Sequence, residues 1–181
     1  MIEQALTLAS DIGFEHAGKL NMSALIPMQQ IRDMCSADLC KAYGHSWSCP
    51  PACGSIESSM EKFARYSDGI LLQTTLLLED DYDLEGMGRA EKLHKSRFDS
   101  IVRQLTQLGL KTNDTMLPLA AGSCTRCRKC TYPDRPCRYP DRLYSSMEAM
   151  GLWVSDVCTK SGMAYNYGRE TITFTSCVLF R

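Results

Sequence analysis

Eight of the chain's ten cysteines fall in two short segments, and this clustering limits what the chain can be more than any other feature. The denser segment, GSCTRCRKCTYPDRPCRYP, spaces Cys124, Cys127, Cys130 and Cys137 as C-x2-C-x2-C-x6-C. Three thiols two residues apart wrap a tight loop round one compact object, as the C-x2-C-x2-C run of bacterial ferredoxins does round iron and sulfide. A proline follows the fourth cysteine closely, at Pro140, but the gap before that cysteine is longer than in a ferredoxin. Structural zinc usually takes its ligands as two separated C-x2-C pairs, and a triple run leaves the middle thiol idle. The spacing therefore points to a [4Fe–4S] cluster, with zinc as the alternative. The same loop is basic: Arg126, Arg128, Lys129, Arg135, Arg138 and Arg142 stand against Asp134 and Asp141. Cations there would stabilise a reduced, anionic cluster, keep a surface loop soluble, or dock an acidic redox partner.

The second segment, CSADLCKAYGHSWSCPPACG, holds Cys35, Cys40, Cys49 and Cys53 at looser spacing, C-x4-C-x8-C-x3-C. Four thiols so close together are hard to explain as packing in a reducing compartment, so a second metal site is expected, iron–sulfur ahead of zinc. Its candidate ligands are Cys35, Cys40 and Cys49, with Cys53 the fourth. His45 lies inside this loop, where an iron ligand, a proton donor and an ordinary surface histidine are all open readings. Trp47 is expected to keep water from the site. Cys158 and Cys177 stand alone and read as buried free thiols, while His16 and His94 receive no role.

Composition excludes several classes. Hydrophobic residues make up 44% and charged residues 23%, the profile of a globular chain, with a formal charge of -1. That balance gives no reason to expect nucleic acid or an anionic membrane as partner. The opening MIEQALTLASDIGF has neither the basic segment nor the apolar run of an export signal, so a cytoplasmic location is expected. No stretch is apolar for long enough to span a bilayer. G-x-G-x-x-G, G-x-x-x-x-G-K-[ST], H-E-x-x-H, G-x-S-x-G and the radical-SAM C-x3-C-x2-C are all absent, leaving those reaction classes unsupported.

Local patterning predicts one α/β domain over residues 1–181, with about four strands in a mixed sheet and the two cysteine loops between its elements. Helices are expected over 2–11, ended by Gly13, over 27–35, over 55–66 and over 87–108. The last of these has a stripe of Leu93, Phe98, Ile101, Val102, Leu105 and Leu108. Strands are expected over 14–22, 68–79, 115–121 and 171–180, with short helices over 144–150 and 155–161.

The strings YGHSWSCPP and GSCTRCRKCTYPDRPCRYP…SSMEAMGLWV resemble the uncharacterised family of predicted metal-binding proteins, a domain of unknown function found in anaerobic bacteria and archaea. The resemblance runs from about residue 10 to the last strand. It implies cysteine-bound metal on Cys35, Cys40 and Cys49 and on Cys124, Cys127, Cys130 and Cys137, and it implies no reaction. Three functions stay open. The first is an electron-transfer or redox accessory protein with one or two [4Fe–4S] clusters and a partner protein. The second is an enzyme using an incompletely ligated cluster in the first loop. The third is a zinc-stabilised interaction module.

Overall fold

The computed structural model describes residues 1–181 and has an α/β architecture. Helix α1 (Ile2–Ile12) ends where Gly13 turns left-handed at φ 95, donating its N–H back to Ala9 and Ser10. Strand β1 (His16–Lys19) leads to a short helix α2 (Gln29–Met34), the first cysteine loop, and α3 (Ile56–Phe63), capped by the Ser55 hydroxyl. Strand β2 (Asp68–Leu77) and the long helix α4 (Leu84–Gln107) follow, then β3 (Met116–Leu119) and the second cysteine loop. Helix α5 (Val154–Lys160) and strand β4 (Thr171–Phe180) complete the described chain.

The strand order is β1-β2-β4-β3, and every neighbouring pair is antiparallel. The sheet is therefore not the mixed one the sequence predicts. Strands β2 and β3, joined through α4, do run parallel, as such a crossover requires. The last strand, β4, inserts between them and pairs with both, over its whole length with β2, from Asp68↔Phe180 to Leu77↔Thr171.

Side chains alternating along β2 and β4 feed two cores. Ile70, Leu72, Val178 and Phe180 face α1 and α4, where they meet Ala5, Ala9, Phe98, Ile101 and Leu105. Leu71, Cys177 and Leu179 face the other way, onto Phe63, Met147, Met150, Leu152 and Val157. Cys158 and Cys177 are buried free thiols in this second core, as expected. No helix is long and apolar enough to cross a membrane.

Two local expectations are corrected. Leu93 and Leu108 do not join the α4 core stripe; they are 37% and 48% exposed, and His94 takes the buried position one turn before Phe98. A polar ring is accommodated there because the sheet offers it two hydroxyls, Thr74 Oγ1 3.0 Å from Nδ1 and Ser176 Oγ 2.7 Å from Nε2. The segment 144–150 forms no helix either. The Ala120 N–H donates to the Ser145 carbonyl at 2.9 Å and the Met147 N–H to the Ala120 carbonyl at 3.2 Å, which prolongs the β3 edge instead. No helix N-terminus therefore faces the cysteines from that segment.

Burial, helped by the charges of Arg97 and Lys95, pushes the His94 pKa down to about 3, so the ring is neutral in the fold. The unfolded chain takes up this proton near pH 6.5, so it binds more protons than the native state between those two values. Stability is then full above about pH 6.5 and falls by ~1.4 kcal/mol per pH unit as acid is added. Urea midpoints measured from pH 7 to pH 4 should show that slope, and His94→Gln should flatten it. Equal slopes in the two proteins would show that His94 is not the group responsible.

Candidate metal centre

The two cysteine loops lie far apart in sequence but form one structure. Their join is Ser46-Trp47-Ser48. The Cys124 N–H donates to Ser48 Oγ at 3.1 Å, and the Ser48 and Ser46 hydroxyls are 3.0 Å apart. The Trp47 indole N–H donates to the Arg135 carbonyl at 3.1 Å, and its ring meets Tyr132 edge-on with centroids 4.9 Å apart. Burial pushes the Cys130 thiol up. Hydrogen bonds to its sulfur from the Tyr132, Trp47 and Thr131 N–H groups and the Ser46 hydroxyl outweigh this and leave it below the ordinary thiol value. Trp47 thus clamps one loop to the other.

Helix α4 fixes the second loop from below. Arg126 places both guanidinium nitrogens on the Asp99 carboxylate, donates through Nε to the Arg142 carbonyl at 2.7 Å, and lies 5.4 Å from the Tyr144 ring centre. Lys95 Nζ donates to the Ser123 carbonyl at 2.8 Å. Two-pronged pairing with a carboxylate is a specific and partly desolvated contact here, so it holds position better than a surface ion pair. It also changes the charge count. Arg126 and Arg142 are engaged by Asp99, which leaves Arg128, Lys129, Arg135 and Arg138 exposed in the loop without a carboxylate partner.

A cavity of about 180 Å³ opens between the loops. Cys124, Cys127, Cys130 and Cys137 line it, and so does Cys40 from the first loop, with His45 and Ser46 beside it. The four second-loop thiols are half-buried, whereas Cys40 and His45 are exposed. The remaining first-loop thiols lie elsewhere. Cys49 and Cys53 are each only 7% exposed. Burial pushes the Cys35, Cys49 and Cys53 thiols up, and the mutual repulsion of these thiols, with Cys40 and Glu148, adds to it at Cys35. The Cys53 sulfur is engaged on two sides: Arg32 donates to it at 2.9 Å, and the thiol reaches the Ala149 carbonyl at 3.5 Å. Arg32, itself buried, also donates to the Gly54 carbonyl. Nowhere do three Cys, His, Asp or Glu side chains stand close enough together to grip a single ion as they are.

Arg32, Ser46, Ser48 and Asp99 support these loops, and nothing in the sequence marks them. Their partners are 21 residues away for Arg32, 76 for Ser48 and 27 for Asp99. Only Arg126 carries a signal, as a cation set inside the cysteine run.

Thiols in this number lining one cavity, free of disulfides, are soft donors of the kind that metal-binding proteins use. The chain belongs to the family described as predicted metal-binding protein (DUF2284), whose model matches residues 18–180. Comparison with curated proteins and with solved structures finds no match.

Proposed function

We propose that the second loop holds a [4Fe–4S] cluster on Cys124, Cys127, Cys130 and Cys137, and that the protein passes electrons through it to a partner protein. The observation that carries this reading is that all four cysteines of the C-x2-C-x2-C-x6-C run line one cavity of about 180 Å³. That space is several times what a single ordered water fills. Such a cluster would supply one-electron chemistry; the chain supplies its setting. The Tyr139 backbone N–H reaches the Cys137 sulfur at 3.4 Å. Bonds of this kind stabilise the more reduced, more anionic state. Lys41, Arg128 and Arg138 line the same cavity, and exposed cations round a redox centre steer an acidic partner towards it. A second centre on Cys35, Cys49 and Cys53 has weaker support, because the Cys53 sulfur is already engaged by Arg32.

Protein purified without oxygen should carry ~4 iron and ~4 acid-labile sulfide per chain and give an EPR signal after reduction. Stoichiometric zinc without sulfide after iron-replete expression sinks the cluster reading and leaves the zinc-stabilised module.

A further inference from the structure

The chain brings five thiols to a cavity whose proposed occupant takes four. We infer that Cys40 is a fifth thiol of the second-loop centre, an exchangeable ligand able to take the position of Cys137. This rests on the [4Fe–4S] reading of the second loop.

Three observations carry it. First, Cys40 lines the same cavity as Cys124, Cys127, Cys130 and Cys137, although the chain places it with the other first-loop cysteines. Second, the turn that presents it is an unusual one. Asp38 and Lys41, at φ 49 and φ 55, are two of the four non-glycine residues with left-handed backbone, and they bracket Cys40 on both sides. Such residues persist only where their surroundings hold them. Here the Lys41 N–H donates to the Asp38 carbonyl at 3.1 Å, and the Asp38 carboxylate accepts from the Tyr43 N–H at 3.0 Å. Third, the run cysteines are not held equally. Cys124 is tied to Ser48 of the first loop through its backbone. Cys137 sits beyond the tight run, on a stretch tied at the Arg135 and Pro136 carbonyls but with the side chains of Arg135, Pro136, Arg138 and Tyr139 exposed, and its sulfur accepts one contact, from the Tyr139 N–H at 3.4 Å.

Cys124, Cys127 and Cys130 keep three positions because their two-residue spacing locks them together. The fourth position is filled from a distance, and both Cys40 and Cys137 are distant donors. In the exchange Cys40 gives up its thiol proton and binds, while Cys137 lets go and takes that proton. No electron changes hands.

The test uses the whole chain, purified without oxygen. Cys137→Ser and Cys40→Ser should each keep iron and sulfide within about one-fifth of the wild-type content, while the double variant should lose at least about nine-tenths of both. Loss of the cluster from Cys137→Ser alone overturns the inference. So that misfolding cannot decide the matter, unmodified holoprotein is also treated with iodoacetamide and mapped by peptide. Label divided between Cys40 and Cys137, with the other three protected, supports exchange. Label on Cys40 alone, with Cys137 fully protected, overturns it. Iron and sulfide at background in the wild type defeat the cluster reading itself, which separates that failure from this one.

Discussion

Cys124→Ser combined with Cys130→Ser is expected to empty the second loop of iron and sulfide, from ~4 of each per chain to background. The two changes leave at most three thiols at the cavity, Cys40, Cys127 and Cys137, scattered over both loops with the tight run broken. They also remove the two outer thiols of the tight run. The sheet should survive, because neither residue belongs to either core cluster. Metal and sulfide analysis checks the loss, and far-ultraviolet circular dichroism checks that the fold remains. Full iron content in the double variant would falsify the placement of the cluster in this loop.

The second large effect is expected where the first cysteine loop is rooted. Gly151 is left-handed at φ 85, and a Cβ there would stand 2.6 Å from Ile56 Cδ1 and 3.1 and 3.2 Å from the backbone N and O of Met28. Its carbonyl also accepts the Met28 N–H at 2.8 Å. Side-chain movement relieves the first contact, but the other two are with backbone. Gly151→Ala should therefore cost about 1–2 kcal/mol for the left-handed conformation and more for displacing Met28, in total roughly 3 kcal/mol. For a chain of this size that is a fall of roughly 6–12 °C in Tm. Met28 precedes α2 and Ile56 opens α3, so both ends of the first cysteine loop dock on this one glycine. The variant should consequently lose order in that loop before the sheet melts, seen as faster amide exchange over residues 35–54.

Some elements were readable from the sequence because their signals are local. Gly13 ends α1, Ser55 caps α3, and the apolar runs of β2 and β4 occupy their expected places. The face of α4 was read less well. Leu93 and His94 differ by a 100° turn of the helix, and a histidine counts as polar until Thr74 and Ser176 are known to receive it. The predicted helix over 144–150 failed for a related reason, since Ser145 and Met147 find backbone partners on Ala120, which local propensity does not register. At the candidate centre the eight loop cysteines stood out by spacing, but their grouping did not. Cys40 reads as a first-loop residue and lines the second-loop cavity, and the Ser46–Ser48 join spans most of the intervening chain.

The position of β4 bears on when such a centre can be built. Strand β3 leads directly into the second cysteine loop, and its only strand partner is β4, residues 171–180. On a ribosome the loop emerges well before the strand that will hold its root, and long-range pairing of this kind closes late. Through that interval only α4 and the first loop, through Asp99, Lys95 and Ser48, are there to hold it. A metal loaded by its thiols would therefore meet a fully rooted loop only once β4 has closed the sheet.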